Sequence, residues 1–245
     1  MLINILNSAQ ELGSEAAELA SFVISSAIER KGEARVVLST GNSQLETLQA
    51  LSGMKIEWQK VVFFHLDEYM GLPVTHPASF RKYLHERFID QLPVKKFYEV
   101  DVEGDVTEKI RFLSGELRKE PVDLGLIGIG VNGHIAFNDP PADFNTREAY
   151  IIVNLDEVCR MQQVNEGWFK TMDDVPKQAV SMTPWQIMQC RTIISCVPHQ
   201  VKAEAVKNTL TSRLSQKVPA TLLKQHPDFH LYIDKNSASG IIPFD

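Results

Sequence analysis

One stretch, residues 122–139, constrains the fold of this chain more than any other. Its first half, residues 124–129, is short and almost wholly apolar, which favours a buried parallel strand over a helix. The strand runs into Gly128, Gly130 and Gly133, where the backbone can turn tightly and approach a ligand closely. Turns of this kind also end many buried strands without binding anything, so both interpretations stay open at this point.

Four polar side chains follow the predicted strand, namely Asn132, His134, Asn138 and Asp139. Ligands of open α/β sheets bind beyond the carboxyl ends of the strands. A carboxylate five residues after a histidine can fold back on the imidazole and fix its tautomer and orientation. The spacing therefore favours a functional His134–Asp139 pair.

The whole chain has the size and charge of a globular protein that handles small molecules. Its 245 residues, 44% of them hydrophobic, suit one large domain or two small ones, and we expect a single domain over residues 1–245. A net charge of -6 argues against a nucleic-acid partner. No apolar run approaches the ~20 residues of a membrane span. We therefore expect neither nucleic acid nor a membrane as a partner.

Cysteine content and the first residues bear on location. Three cysteines without a Cys-x-x-Cys pair are typical of reduced thiols in a cytosolic protein. The N-terminal segment lacks the basic region of a signal peptide. We therefore expect a cytoplasmic protein.

Strand patterns alternate with helix patterns along the chain. Strands are predicted at 34–39, 61–64, 97–100, 124–129, 150–153, 179–182, 191–197 and 229–233. Helices are predicted at 8–31, 79–89, 106–119, 185–189 and 200–210, with a further helical pattern up to residue 51, whereas residues 156–168 carry a mixed polar pattern. This alternation indicates an α/β fold whose mostly parallel sheet has helices on both faces.

The second candidate site segment is the turn Thr40-Gly-Asn-Ser43, between a predicted strand and a helical pattern. A strand, a glycine and hydroxyl turn and a helix together offer backbone N–H groups and a helix dipole to an anion. The turn is neither a Walker A motif nor Gly-x-Gly-x-x-Gly, so no nucleotide is indicated. An ordinary helix cap with Ser43 at or near the N-cap explains the turn equally well.

The third segment is the acidic pair Asp67 and Glu68, just after the apolar strand at 61–64. A carboxylate beside a buried sheet can have a pKa suited to proton transfer. Together with His65 and His76 the pair matches no familiar metal-ligand spacing, so no metal is predicted.

Lys202 lies in the first turn of a predicted helix, where a cation is unfavourable unless an anion also binds. An ordinary surface lysine is the alternative.

Three strand ends, at residues 40–43, 67–68 and 128–139, are thus expected to meet in one site. They supply an anion cradle, a lone carboxylate and a histidine paired with a second carboxylate. No activated serine or cysteine accompanies them. The set favours proton transfer on a small phosphorylated molecule, but the residues alone do not identify that molecule.

Two motifs carry a family resemblance. Phe64-His-Leu-Asp-Glu-Tyr-Met-Gly-Leu-Pro73 and Gly128-Ile-Gly-Val-Asn-Gly-His-Ile-Ala-Phe-Asn138 resemble the signatures of the glucosamine-6-phosphate deaminase family. The resemblance extends from about residue 33 to 239. It implies a Rossmann-like three-layer α/β/α sandwich and an aldose–ketose isomerisation that releases ammonia and yields fructose 6-phosphate.

The resemblance also implies roles for individual residues. Asp67 would be the base that moves a proton between C2 and C1 through an enolamine. His134 would open the sugar ring, with Asp139 orienting it and Asn132 beside it. Substrate and phosphate binding would fall to Thr40, Gly41, Asn42, Ser43, Gly128, Gly130 and Lys202. No metal or organic cofactor is implied, because a positioned carboxylate suffices for the acidic C–H bond.

The site departs from the family pattern at three positions. Many members have Asp where this chain has Asn132, and many have Glu where it has Asp139. The family's phosphate-binding arginine is replaced by Gly167, for which Arg160 or Lys170 is a candidate substitute.

Features of the regulated family members are also missing. Ala142 and Ala149 stand where those members carry a serine and an arginine, and the C-terminal helical extension of the hexameric members has no counterpart. We therefore predict no activation by N-acetylglucosamine 6-phosphate, and a monomer or a small homo-oligomer.

Four functions remain after these comparisons of motif and sequence. A glucosamine-6-phosphate deaminase comes first, and a galactosamine-6-phosphate isomerase second. A 6-phosphogluconolactonase shares the Gly-His turn. A sensor that binds a sugar phosphate without turning it over is the non-enzymatic alternative.

Overall fold

Residues 1–241, which the computed structural model describes, contain ten strands and seven α-helices. In chain order the strands are β1 Leu2–Leu6, β2 Ala34–Leu38, β3 Val61–His65, β4 Asp67–Tyr69, β5 Lys96–Tyr98, β6 Leu124–Leu126, β7 Tyr150–Asn154, β8 Gln178–Met182, β9 Thr192–Val197 and β10 Phe229–Asp234. The helices are α1 Ala9–Lys31, α2 Leu45–Ser52, α3 Phe80–Arg87, α4 Val106–Arg118, α5 Glu157–Asn165, α6 Pro184–Ile187 and α7 Ala203–Thr211.

Seven of the strands form one parallel sheet in the order β1-β10-β9-β6-β2-β3-β5. From β2 the chain builds toward one edge through β3 and β5. It then starts again at β6 and builds toward the other edge. The strand order therefore reverses between β2 and β6, which is where open α/β sheets bind their ligands.

Both faces of this sheet are buried, which explains why its central strands are apolar throughout. Val36 and Phe63 point into one core cluster with α1 and α2. Val37 and Phe64, which alternate with them, point into a second cluster on the opposite face. Successive side chains of a strand point to opposite faces, so a strand with two buried faces lacks the polar alternation of a surface strand. The predicted α/β fold with a mostly parallel sheet is confirmed.

A smaller antiparallel sheet, ordered β4-β8-β7, lies beyond the carboxyl end of β3. An aromatic cluster packs against it, in which the Phe137 ring lies 4.9 Å from Tyr69 and 5.6 Å from Phe80, centroid to centroid. Phe137 belongs to the turn after β6. The cluster therefore holds that turn, β4 and α3 together.

Three elements differ from the sequence-based expectation. β1 was not predicted, and its edge position leaves Leu2 and Ile5 exposed. Residues 67–69, to which no element was assigned from the sequence, form a strand of the antiparallel sheet. α5 occupies part of the polar stretch at 156–168, and the Asp156 carboxylate caps it by accepting the Cys159 N–H at 2.6 Å.

Within residues 1–241, no helix combines the length and the apolar composition that crossing a bilayer requires.

Gly13 sets how closely α1 approaches α2, the helix that follows residues 40–43. A methyl group on Gly13 would lie 2.7 Å from the carbonyl carbon and Cβ of Glu46, and backbone cannot give way as a flexible side chain can. We expect Gly13→Ala to lower the free energy of unfolding by about 1–2 kcal/mol, because overpacking outweighs the better helix propensity of alanine. Urea denaturation measures the change.

Gly115→Ala provides the matched control in α4. Gly115 is exposed and a methyl group there meets nothing within 4 Å, so this change should stabilise the protein by about 0.5–1 kcal/mol. Equal effects of the two substitutions would show that the α1–α2 contact is not tight.

Candidate active site

A cleft of about 590 Å³ opens at the carboxyl ends of β2, β3 and β6. All three segments named from the sequence contribute to it. Its lining includes Ser39, Thr40, Gly41, Asn42, Ser43, Gln44, Asp67, Gly128, Gly130, His134 and Lys202. The expected meeting of three strand ends is therefore observed.

The turn at residues 40–43 presents backbone donors to the cleft. Gly41 has φ 101° and ψ 167°, a conformation that glycine adopts without strain. A short 3₁₀ turn, Asn42–Gln44, follows it. Within residues 1–241 the N–H groups of Asn42 and Ser43 have no backbone acceptor. They are therefore free to bind an anion.

The alternative of a simple helix cap is not observed for this turn. Neither the 3₁₀ turn nor α2 has a side-chain cap, and Ser43 makes none. The Tyr83 hydroxyl instead donates to the Gly41 carbonyl at 3.0 Å, which ties the turn to α3.

Lys202 is buried and lines the cleft, so it is not an ordinary surface lysine. Its ammonium donates to the Ile129 carbonyl at 2.9 Å and forms no ion pair with any carboxylate in the described part of the chain. Burial lowers its pKa, and Glu166 opposes that shift. An ammonium has three donors, so two remain for a ligand at the start of α7.

Asp67 is 5% exposed and lies in β4 on the cleft wall. No side chain or backbone group of residues 1–241 donates a hydrogen bond to its carboxylate. Burial raises the pKa of Asp67 well above its usual range, and the adjacent Glu68 raises it further. A carboxylate in this setting binds a proton more readily than one in water.

Glu68 has a structural role despite being next to Asp67. Its carboxylate is fully buried and accepts hydrogen bonds from the Ser79 hydroxyl at 2.8 Å and the N–H groups of Tyr69, Phe80 and Arg81. Only Asp67 of the acidic pair is therefore free for chemistry.

His134 lies against the backbone of Gly130. A methyl group on Gly130 would overlap the Cε1 and Nε2 atoms of the imidazole, so only glycine permits this position of the ring. The Asn132 side-chain oxygen accepts the His134 N–H at 3.0 Å and so holds the turn on its other side.

Asp139 lies behind His134, with its Oδ1 3.1 Å from the Nδ1 atom of the ring. The Nδ1–H direction is poorly aligned for a full hydrogen bond, so the contact is mainly electrostatic. Burial alone would raise the pKa of Asp139, but His134, the Asp156 N–H and Asn132 outweigh burial and lower it. The aspartate side chain thus reaches the imidazole although it is one methylene shorter than glutamate.

Within residues 1–241, three side chains lie close enough to one another to be considered as metal ligands. The ligand atoms of His134, Asp139 and Cys159 lie within 4.8 Å of one another. Burial, followed by the charge of Asp139, raises the pKa of the Cys159 thiol, which favours a protonated thiol over the thiolate that a metal would need. His65 and His76 do not line the cleft.

One wall of the cleft was not predicted from the sequence, and it consists of Gln162, Gln163, Glu166 and Trp168. They belong to α5 and the turn after it. The available signals were Asp156, a good N-cap, and Gly167, which ends the helix region at φ 83°.

Neither suggested substitute for the missing arginine reaches the cleft. The Arg160 guanidinium donates to the carbonyls of Met172 and Val175, and Lys170 is exposed. Among the cleft-lining residues of the described chain, Lys202 is therefore the one with a cationic side chain. Glu166 directly precedes Gly167, the position at which the resemblance implies an arginine.

Comparisons with known proteins agree with this architecture. The sequence profile of the family described as glucosamine-6-phosphate isomerases/6-phosphogluconolactonase matches residues 7–231. A glucosamine-6-phosphate deaminase of Thermoanaerobacter pseudethanolicus is 33% identical over 240 residues, which cover 95% of this chain and 92% of that protein.

Solved structures resemble the chain over nearly its whole length. A monomeric glucosamine-6-phosphate deaminase matches with a TM-score of 0.89 at 28% identity, covering 98% of this chain and 100% of that one. A 6-phosphogluconolactonase from Trypanosoma brucei has a TM-score of 0.81 at 17% identity, covering 98% of both chains, a likeness of fold alone. The profile match and the relative from Thermoanaerobacter pseudethanolicus show that the chain belongs to the glucosamine-6-phosphate isomerase/6-phosphogluconolactonase family.

Proposed function

We propose that this protein converts glucosamine 6-phosphate and water into fructose 6-phosphate and ammonia. One observation carries the proposal. The unpaired carboxylate of Asp67, the imidazole of His134 and the buried ammonium of Lys202 line one cleft. These groups match a sugar whose anionic end is fixed while a C–H bond near its other end loses a proton.

The first step opens the sugar ring. With Nδ1 of His134 next to Asp139, the other ring nitrogen, Nε2, is the one left to move a proton at the ring oxygen. Asp139 favours the orientation of the imidazole in which this transfer occurs. The product of the step is the open-chain aldehyde.

The second step moves a proton from C2 to C1. Asp67 removes the C2 proton while the C1 carbonyl oxygen takes a proton from water, and the electrons of the C2–H bond form the C1=C2 bond of the enolamine. The same carboxylate then returns a proton to C1. An iminium is left at C2; water adds there, and ammonia leaves as the C2 carbonyl of fructose 6-phosphate forms. The raised pKa of Asp67 suits it both to accept the proton and to return it.

The phosphate end is the third part of the proposal. Lys202 and the N–H groups of residues 42 and 43 line the cleft and have donors left for a ligand, so we assign the phosphate to them. Thr40, Gly41, Gly128 and Gly130 form the walls around them. Fixing the phosphate orients C2 toward Asp67 without a metal or an organic cofactor.

Ammonia release from a panel of hexosamine 6-phosphates tests the reaction. Turnover of the galacto epimer alone would make the protein a galactosamine-6-phosphate isomerase, and turnover of 6-phosphogluconolactone alone would make it a lactonase. Thermal stabilisation by sugar phosphates with no turnover of any of them would indicate a sensor.

The proposal extends to organisation and location. We expect residues 1–245 to act as a single domain, because the ends of β2, β3 and β6, together with β4, α5 and the start of α7, all contribute to one cleft. A monomer agrees with the monomeric state of the solved relative. A cytoplasmic location agrees with three buried, unpaired cysteines.

Asp67→Asn should reduce ammonia release and isotope exchange at C2 by at least about 100-fold, because an amide cannot accept the proton. Binding of inorganic phosphate should stay unchanged. The acidic limb of the wild-type pH–rate profile should lie above the range of an ordinary carboxylate (about pH 4), because burial raises the pKa of Asp67. Near-normal exchange in the variant would remove Asp67 from the mechanism.

The same substitution should stabilise the fold near neutral pH. The raised pKa of Asp67 means that folding disfavours its charged form, so wild-type stability falls as pH rises through that pKa. The gain in Tm should vanish at about pH 3, where Asp67 is protonated in both folded and unfolded states. Asp173→Asn, which removes an exposed charge, is the control and should show no comparable gain.

His134→Gln should slow the reaction of the cyclic substrate by at least about 100-fold. A 5-deoxy analogue, which cannot close the pyranose ring, should be affected far less because it needs no ring opening. Steady-state kinetics on both substrates give the comparison. Equal losses on the two substrates would show that the role of His134 is not ring opening.

A further inference from the structure

Glu166 is an unexpected side chain for a cleft that binds an anion. Its carboxylate lines the same cavity as Lys202, and its charge acts on that lysine. The two nonetheless form no ion pair with each other. An anion seated at Lys202 therefore shares its cavity with a carboxylate.

The Glu166 side chain is held rather than free. Its Oε1 accepts a hydrogen bond from the Gln162 amide at 2.6 Å, and its Oε2 accepts one from the Trp168 indole N–H at 3.3 Å. The side-chain oxygen of Gln162 in turn accepts a hydrogen bond from the Val131 N–H at 3.2 Å. An ionised carboxylate has about four acceptor positions, so Glu166 keeps capacity for a ligand donor.

A carboxylate beside an anion site distinguishes between kinds of anion. It repels an anion that carries no proton, because both partners can only accept hydrogen bonds. It accepts a strong, charge-assisted hydrogen bond from an anion that keeps a proton. Phosphate has a pKa of about 6 for its last proton as a monoester and can present that proton, whereas sulfate cannot near neutral pH.

We propose that Glu166 is a specificity-determining residue that accepts a hydrogen bond from a protonated phosphate oxygen. The cleft then takes a phosphate group as its monoanion and excludes sulfate. Lys202 and the N–H groups of Asn42 and Ser43 would bind the two unprotonated oxygens. The inference rests on the proposed function for the identity of the substrate, but it concerns the anion end alone.

Other titratable groups surround Glu166 and must be held constant in the test. From the neighbouring elements these are Lys202, Tyr69, Tyr83, Asp67 and His134. A comparison of two anions at one pH leaves the protonation of the unliganded protein the same in both titrations. Phosphate and sulfate are close in size and shape, so the comparison tests the effect of the proton and of the negative charge that it removes.

Isothermal titration calorimetry near neutral pH with inorganic phosphate and sodium sulfate is the experiment. Wild-type protein should bind phosphate at least about tenfold more tightly than sulfate, the range of one hydrogen bond to a charged group. Glu166→Gln should bind the two anions within about twofold of each other, because its amide offers an N–H donor to either. Thermal unfolding of the variant checks that its fold is intact.

Glu157→Gln is the matched control, since Glu157 is an exposed acid of the same helix that does not line the cleft. It makes the same change in net charge and should keep the wild-type preference. The inference is overturned if the wild-type protein does not prefer phosphate, if neither anion binds, or if Glu166→Gln keeps the preference.

The outcome separates this inference from the proposed function. A wild-type protein that releases ammonia normally but does not prefer phosphate to sulfate would remove only the role of Glu166. Phosphate selectivity that depends on Glu166, in a protein that turns over no hexosamine phosphate, would remove only the deaminase reaction.

Discussion

Three backbone hydrogen bonds join the strand ends that carry the cleft. The Ser39 N–H donates to the Leu126 carbonyl at 3.1 Å, and the Leu66 N–H donates to the Leu38 carbonyl at 3.1 Å. The Met182 N–H donates to the Leu66 carbonyl at 2.9 Å and attaches the antiparallel sheet. The first two bonds continue the parallel ladder past the last paired residues, so the strand ends that carry the site are held to one another and to the sheet.

The cleft keeps its polar groups ready for a ligand at a cost in stability. Asp67 has no hydrogen-bond donor within the described chain, and Lys202 has one acceptor for three donors. Burying such groups disfavours their charged forms, as the raised pKa of Asp67 and the lowered pKa of Lys202 show. Glu68, next in the chain to Asp67, has the opposite character because four donors satisfy it.

The sequence predicts the strand ends well because their signals are local. An apolar run followed by glycine and polar residues marks where β2, β3 and β6 end, and the order of elements predicts the parallel sheet. Other features depend on distant partners. Glu68 is distinguished from Asp67 by its hydrogen-bond donors, three of which come from residues 79–81. The pattern of α5 is too polar to predict its place on the cleft wall. Glu166 lies directly after that helix and was not predicted for the same reason.

The contact between Gly130 and His134 has an evolutionary consequence. Because any side chain at residue 130 would occupy the volume of the imidazole, the two positions cannot drift independently. A lineage that keeps the histidine is confined to glycine four residues earlier. A lineage that acquires even alanine there must first have lost, or displaced, the imidazole. Paired loss at these two positions would therefore mark descendants that retained the scaffold for another purpose.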